Sequence, residues 1–180
     1  KTIVSSSGAL TLSKVPKKLL VIGAGYIGIE MATVWSRLGA QVEVIDALPN
    51  ILNGMDGEII SKFKSILKKQ GITFTLGSSL KQIKKNKSGL IATIFEEKNS
   101  KESKIGCDII LIAIGRQPNT ENLGIESLGI IKTEKGHIDV DEKFETNIPG
   151  IFAIGDVIEG PMLAHKAEED GVATVELMAG

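Results

Sequence analysis

A glycine-rich segment that directly follows a short apolar run limits the possible folds of this chain more than any other feature. Residues 19–22 are all apolar, which is typical of a strand buried on both faces. The segment VIGAGYIGIE then places glycines at 23, 25 and 28, and apolar residues continue at helical spacing up to Leu38. A strand, a G-x-G-x-x-G turn and a helix in this order predict the first unit of a dinucleotide-binding α/β fold.

The elements that follow predict a parallel sheet. Residues 42–45 form a second strand, which ends at Asp46. A second amphipathic helix begins after the N-cap Asp56 and ends at Gly71, and a third strand covers residues 72–76. The order β-α-β-α-β requires right-handed crossovers and makes these strands parallel.

The pattern changes after residue 76. Residues 80–84, 90–96 and 104–114 are strand-like, and lysine- and serine-rich turns separate them with no helix between. They predict an antiparallel meander that leads back into the sheet. The expected fold is therefore a Rossmann-like parallel sheet with an antiparallel β-meander crossover.

Composition restricts the class of protein. Of the 180 residues, 42% are hydrophobic and 24% charged, as in an ordinary soluble globular protein of one or two domains. The net charge of −1 gives no reason to expect a nucleic-acid or acidic-lipid partner. No apolar run approaches the roughly 20 residues of a membrane helix. The single cysteine, Cys107, argues against a disulfide framework and for a reducing compartment, and no metal site is predicted.

The glycine turn suits a pyrophosphate. Gly23 permits the tight turn, Gly25 lets the backbone approach the phosphates, and Gly28 allows the helix to pack closely on the strand. The pyrophosphate is expected at the helix N-terminus, where free N–H groups and the helix dipole favour an anion. The predicted cradle consists of Ile22, Gly23, Ala24, Gly25, Tyr26, Ile27 and Gly28.

An acidic residue at the end of the second strand indicates which nicotinamide cofactor is bound. The carboxylate of Asp46 can accept hydrogen bonds from both hydroxyls of the adenine ribose, and it would repel a 2′-phosphate. An NADP site would instead need an arginine nearby, and the chain has none between Arg37 and Arg116. The sequence therefore predicts NAD as the cofactor.

Two later motifs complete a family resemblance. AIGRQPN (residues 113–119) follows an apolar strand, and TNIPGIFAIGD (residues 146–156) ends another. With the glycine turn, in this order and spacing, they resemble the flavoproteins with two dinucleotide-binding domains that reduce or oxidise disulfides. Within that family, residues 15–46 and PMLAHKAEEDGV (residues 161–172) resemble the dihydrolipoamide dehydrogenases. The resemblance extends over essentially all 180 residues.

The resemblance implies further site residues. Leu80 would pack against the adenine, and Gly115 would line the nicotinamide end of the NAD site. Glu30 matches the glutamate that pairs with a lysine beside the flavin, and Tyr26 stands where some members have an aromatic gate over the flavin. Contacts with FAD are implied for Gly155, Asp156, Met162, Leu163, Ala164 and His165. The Asp156 carboxylate would hydrogen-bond the ribityl chain of FAD.

The resemblance also implies that the chain is a fragment of a longer protein of this family. The family's redox-active disulfide, its first G-x-G-x-x-G for FAD and its C-terminal domain with the catalytic histidine–glutamate pair have no match here, and the chain opens on Lys1 rather than methionine. We predict a connector over residues 1–14, an NAD domain over 15–136 and an incomplete return segment of the FAD domain over 137–180. By itself the fragment is expected to be inactive.

The sequence leaves open two alternatives to the interpretation as a dihydrolipoamide dehydrogenase. One is another flavin disulfide reductase of the glutathione or mercuric reductase type, which the lack of arginines for a 2′-phosphate disfavours. The other is a non-catalytic NAD(H)-binding module. In the preferred interpretation, the intact protein is a homodimer that oxidises the dihydrolipoyl groups of 2-oxo acid dehydrogenase complexes. It would be cytoplasmic in a bacterium or in the mitochondrial matrix of a eukaryote, and not secreted.

The C-terminal segment carries apolar residues that need a partner. A strand over 151–154 and a helix over 162–178 are predicted as pieces of an FAD sheet whose other strands lie outside the chain. The residues concerned are Ile151, Phe152, Val172, Val175 and Leu177. We expect the segment either to be mobile or to be buried by something other than the NAD domain.

Overall fold

The computed structural model describes residues 2–87 and 89–180, which divide into two compact units, Lys1–Gly115 and Arg116–Gly180. The strands of the first unit are β1 (Ile3–Val4), β2 (Lys18–Ile22), β3 (Gln41–Asp46), β4 (Thr73–Leu76), β5 (Ser78–Asn86), β6 (Gly89–Glu96), β7 (Lys101–Cys107) and β8 (Ile109–Ile112). Its helices are α1 (Ser6–Leu10), α2 (Tyr26–Arg37) and α3 (Gly57–Lys69), with a 3₁₀ turn at Glu97–Asn99. The second unit contains a 3₁₀ turn at Gly155–Val157 and helix α4 (Ala164–Ala179).

The strands form two sheets, which confirms the predicted fold class. The first is a five-stranded parallel sheet in the order β1-β8-β2-β3-β4, and the second is a three-stranded antiparallel sheet in the order β5-β6-β7. The second sheet is the meander that the sequence predicted between β4 and the return to the parallel sheet.

The parallel sheet is buried on both faces. Along β2, Leu19 and Val21 belong to an apolar cluster with residues of α2 and α3, whereas Leu20 and Ile22 belong to a cluster with residues of β6 and β7. Alternate side chains of a strand point to opposite faces. The helices and the meander therefore cover opposite sides of the sheet, which explains the uninterrupted apolar run in β2.

The single strand predicted over residues 104–114 is wrong, because two strands of different sheets share this segment. β7 pairs with β6, whereas β8 pairs with β1 and β2. The break lies at Asp108, whose N–H donates to the Lys18 carbonyl at 3.0 Å and whose Oδ2 accepts from the Lys18 N–H at 2.9 Å. These two bonds hold the crossover at the start of β2.

The first residues of the chain belong to the sheet, in contrast to the connector predicted over 1–14. β1 pairs in parallel with β8, with Val4 opposite Leu111. The side chain of Ser5 then caps α1 by accepting a hydrogen bond from the N–H of Gly8 at 3.4 Å. A strand of 2 residues and a helix of 5 are too short to show periodicity, so this serine-rich segment has the pattern of a linker.

The second unit begins before the domain boundary predicted at residue 136. Its apolar core consists of Ile125, Ile138, Ala153 and Ile158, with Ile130, Val140, Phe144 and Val157 packed against them. The strand predicted over 151–154 is wrong, since Phe152 forms an isolated antiparallel bridge with Glu145 instead. The predicted helix corresponds to α4.

Helix α4 carries exposed apolar residues in the single chain. Val172, Val175 and Leu177 are 56%, 65% and 49% exposed, whereas Ile151 and Phe152 are half-buried. The three helix residues are thus uncovered in the single chain, whereas Ile151 and Phe152, which lie earlier in the sequence, are partly covered.

Cys107, the last residue of β7, is only 6% exposed. It lines a cleft of about 510 Å³ at the amino-terminal edge of the parallel sheet. Burial, and then the negative charges of Asp108 and Glu43, raise the pKa of its thiol to about 11. Because the thiolate is the reactive form, we expect a disulfide reagent to modify native Cys107 very slowly at about pH 8 and quickly in urea.

The same shift makes stability depend on pH. The pKa of the Cys107 thiol is raised from 9.0 to about 11 on folding. The protonated thiol therefore makes its full contribution to the unfolding free energy below pH 9.0, and this contribution is lost as the pH rises through about 11. We expect Cys107→Ala to reduce the decline of the unfolding free energy over this pH range. Urea unfolding at a series of pH values measures this decline. An equal decline in the unchanged protein and in Cys107→Ala would contradict the prediction.

Candidate dinucleotide-binding site

The carboxyl-terminal edge of the parallel sheet brings the glycine turn, the end of β3 and the end of β8 together. The N–H of Gly23 donates to the Ile45 carbonyl at 2.8 Å, and the N–H of Ala113 donates to the Ile22 carbonyl at 2.7 Å. The turn therefore lies beside Asp46 on one side and the residues after β8 on the other. Ligands of open α/β sheets bind at this edge.

The three glycines of the turn differ in what surrounds them. Gly23 has a φ of +107°, and a Cβ there would lie 2.3 Å from the Ala113 carbonyl oxygen. A Cβ at Gly28 would lie 2.0 Å from the Gly23 carbonyl oxygen and 3.4 Å from Cγ1 of Val21. A Cβ at Gly25 would meet nothing within 4 Å. The fold itself thus excludes side chains at two of these positions, and the third leaves open space beside the backbone.

The N-terminus of α2 faces this space and is suited to an anion. The helix has 12 residues, and its N-cap Gly25 provides no side chain to cap the first turn. The first turn also contains no acidic residue. A Ser, Thr, Asp or Asn side chain commonly accepts the first N–H groups of a helix. Here a bound phosphate can take that place, where the helix dipole favours negative charge.

Asp46 is half-buried, and both of its oxygens hold backbone of the site. Oδ2 accepts from the N–H of Ala24 at 2.6 Å, and Oδ1 accepts from the N–H of Leu48 at 2.7 Å. The Ala24 carbonyl accepts in turn from the N–H of Leu52 at 2.8 Å. Each carboxylate oxygen has two acceptor positions, so both can still accept a ribose hydroxyl. Asp46 therefore also holds the glycine turn in place, which the sequence did not indicate.

The other residues predicted for the NAD site lie on neighbouring elements. Gly115 follows β8 with a φ of +140° and open space at its Cβ position. Leu80 lies in β5 and packs against the apolar cluster beneath the meander. Tyr26 is 42% exposed at the start of α2, and Glu30 is exposed further along it. Of these residues, Gly115 follows the strand end beside the glycine turn, and Leu80 is partly buried.

The residues predicted to contact FAD lie in the second unit. Gly155 and Asp156 are in the 3₁₀ turn, and Met162 and Leu163 directly precede the first residues of α4, Ala164 and His165. Gly155 has a φ of +72°, and a Cβ there would lie 3.0 Å from Cβ of Ala167. The turn therefore packs closely against α4.

An arginine without a predicted role joins these two segments. Nη2 of Arg116 lies 2.5 Å from Oδ2 of Asp156, and Nη1 donates to the Met162 carbonyl at 3.5 Å. Arg116 lies inside the AIGRQPN motif, so the only signal available in the sequence was a charged side chain within a recognised motif.

A buried carboxylate holds the same turn from α4. Asp170 is 8% exposed, and its Oδ2 accepts from the N–H of Gly155 at 3.1 Å. The same oxygen forms an ion pair with Nζ of Lys166, one helical turn earlier. In the sequence, Asp170 and Lys166 stand only within the motif PMLAHKAEEDGV.

Neither a metal cluster nor a membrane-spanning helix occurs in the part of the chain that the structure describes. No three His, Cys, Asp or Glu side chains there are grouped so that they could share an ion. No helix in residues 2–87 and 89–180 is both long and apolar enough to cross a bilayer.

Known structures share this architecture. The HOCl-induced flavoprotein disulfide reductase RclA of Escherichia coli, solved as a Cu(II) complex, is similar with a TM-score of 0.88 and 29% identity. The match covers 99% of this chain and 39% of that protein.

Known sequences identify the family. The mitochondrial dihydrolipoyl dehydrogenase of Rattus norvegicus is 51% identical over 181 residues, covering 99% of this chain and 36% of the relative. Mitochondrial dihydrolipoyl dehydrogenase 1 of Arabidopsis thaliana is 48% identical over 180 residues, covering 100% of this chain and 36% of that relative. The chain thus spans about a third of the length of these relatives. Because the family model matches residues 1–171, the chain belongs to the pyridine nucleotide-disulphide oxidoreductase family.

Proposed function

We propose that this chain binds NAD(H) at the carboxyl-terminal edge of its parallel sheet, as the NAD-binding part of a dihydrolipoyl dehydrogenase. The open space beside the Gly25 backbone, at an N-terminus with no side-chain cap, carries the proposal. The pyrophosphate would lie on the first turn of α2. The adenine ribose would then lie toward Asp46, with Gly115 at the nicotinamide end.

The relatives support the specific enzyme. Those named dihydrolipoyl dehydrogenase share about half of their aligned residues with this chain, whereas RclA shares 29%. In the proposed reaction, a dihydrolipoyl group and NAD⁺ give a lipoyl group, NADH and a proton. FAD and a redox-active disulfide supply the electron transfer. Because the chain contains 1 cysteine, it cannot form that disulfide within itself, and its own role is to hold and orient the dinucleotide.

The remaining assignments concern the intact protein. We propose that the FAD contacts come from Gly155, Asp156 and residues 162–165, and that Tyr26 and Glu30 lie near the flavin. The dihydrolipoyl groups would belong to 2-oxo acid dehydrogenase complexes, and the protein would be a homodimer. Because the relatives are named as mitochondrial, the matrix is the proposed location in a eukaryote, and the cytoplasm in a bacterium.

A second candidate is another flavin disulfide reductase, which the likeness to RclA favours. The two candidates differ in the disulfide that the intact protein accepts. NADH-dependent reduction of lipoamide by that protein supports the first candidate. Reduction of another disulfide with no activity on lipoamide supports the second.

Binding measurements on the 180-residue chain test the NAD assignment directly. We expect NADH to bind at least about tenfold more tightly than NADPH, because Asp46 would repel the 2′-phosphate. Titration of the nicotinamide fluorescence measures both affinities. Equal affinities, or tighter binding of NADPH, would contradict the proposal.

The same preparation tests the flavin assignment. We expect no stoichiometric FAD on the chain, because it holds a single G-x-G-x-x-G motif and that motif is assigned to NAD. A yellow purified chain with the absorption spectrum of a bound flavin would contradict this expectation.

A further inference from the structure

The 3₁₀ turn Gly155–Val157 is held by charged side chains on either side of Asp156. Arg116 contacts the Asp156 side chain itself, whereas Asp170 contacts the backbone N–H of the residue before it. The turn is thus restrained both at the carboxylate and at the backbone that carries it.

The contacts of Arg116 favour a role in orientation over a role in stability. The Arg116 and Asp156 side chains are 45% and 34% exposed, and ion pairs this exposed add little to folding. The geometry is nevertheless specific, because one guanidinium nitrogen reaches Asp156 and the other reaches the Met162 carbonyl just before α4. Arg116 therefore links the 3₁₀ turn and the segment before the helix.

Asp170 acts on the other side of the turn. The side chains of Asp170 and Lys166 are 11% and 22% exposed, and a buried carboxylate is tolerated only when it is paired and hydrogen-bonded. The bond from the Gly155 N–H is therefore a firm attachment to α4. Because Gly155 also packs against Ala167 of the same helix, the turn cannot slide along α4 without breaking both contacts.

We infer that Arg116 and Asp170 are positioning residues that set the orientation of the Asp156 carboxylate. Arg116 takes Oδ2, so Oδ1 is the oxygen presented to a ligand hydroxyl. A flexible polyol chain, such as the ribityl chain of FAD, supplies hydroxyls of the required kind. The inference rests on the proposed function for the identity of this ligand.

The test uses the full-length protein that contains this chain, freed of flavin and titrated with FAD. We expect Arg116→Gln to weaken FAD binding about tenfold, because one oriented hydrogen bond is lost. The matched control is Arg37→Gln, which changes the other arginine, exposed in the last turn of α2, and should alter FAD binding less than about twofold. Arg116→Lys should restore part of the affinity.

A double-mutant cycle separates orientation from a general structural effect. In an Asp156→Asn background, Arg116→Gln should cause no further loss of FAD affinity, because the two residues act through one carboxylate. Asp170→Asn, introduced into the same Asp156→Asn background, should likewise cause no further loss of FAD affinity. The thermal midpoint of the flavin-free Arg116→Gln protein should stay close to that of the unchanged protein.

The outcomes distinguish a failure of the positioning inference from a failure of the proposed function. If the full-length protein binds FAD but Arg116→Gln binds it as tightly as Arg37→Gln, the inference is overturned and the proposed function stands. Additive losses in the double mutant also overturn the inference. If the unchanged full-length protein binds no FAD, the inference and the proposed function both fail.

Discussion

Replacing Gly28 with alanine is expected to destabilise the chain by about 3 kcal/mol, the upper part of the range for overpacking a close contact. In an ordinary helix interior, alanine would stabilise by about 1 kcal/mol relative to glycine. Here the added Cβ would lie 2.0 Å from the Gly23 carbonyl oxygen, and backbone must move to relieve the clash. Urea unfolding followed by the fluorescence of Trp35, the single tryptophan, which is buried in α2, measures the loss.

Gly25→Ala is the matched control for this substitution. A Cβ at Gly25 meets nothing within 4 Å, and its φ of −71° suits alanine, so we expect a stability loss below about 1 kcal/mol. The new methyl group instead enters the space assigned to the pyrophosphate, so NAD binding should weaken at least about tenfold. If Gly25→Ala binds NAD normally, the pyrophosphate does not lie there. If Gly28→Ala is as stable as the unchanged chain, the packing argument fails.

Asp46→Ala is expected to weaken NAD binding by about 1–3 kcal/mol, because the ribose hydroxyls lose their acceptor. The substitution also leaves the N–H groups of Ala24 and Leu48 without their carboxylate partner. Ala24 is 1% exposed, so its unpaired N–H should cost stability as well, by about 1–3 kcal/mol. Calorimetric titration with NAD and urea unfolding measure the two effects separately.

Asp56→Ala separates lost affinity from lost stability. Asp56 also holds two backbone groups, since its Oδ1 accepts from the N–H groups of Glu58 and Ile59 at 3.0 and 3.1 Å. Its replacement should cost about 1 kcal/mol of stability, as for other N-caps, and leave NAD affinity unchanged. NAD affinity that is unchanged in Asp46→Ala would remove Asp46 from the site. A similar loss of affinity in Asp56→Ala would show that the effect is indirect.

Most of the parallel sheet could be predicted because each element depends on neighbours in sequence. The apolar run of β2, the glycine turn and the helical spacing in α2 all lie within residues 18–37. The side chain of Asp56 caps α3 through residues only two and three positions ahead. Such local patterns are visible without knowing what the element packs against.

Elements defined by distant partners were missed for a physical reason. β1 is a strand because Val4 pairs with Leu111, and no local pattern in 2 residues reveals that partner. The division of residues 104–114 into β7 and β8 depends on the hydrogen bonds between Asp108 and Lys18. Phe152 is not part of a strand in the described chain, because its bridge partner is Glu145 rather than a second long strand.

The candidate site likewise has features that the sequence predicts and features that depend on the tertiary structure. The spacing of the glycines and an acid at the end of β3 follow from the sequence alone, because a pyrophosphate turn and its ribose acceptor lie within one βαβ unit. Tertiary structure alone decided that Asp46 holds Ala24, that Gly28 packs against the Gly23 carbonyl and that Arg116 reaches Asp156. A hydrogen bond or close contact depends on where the folded backbone places two groups, and residue type and spacing do not specify that position.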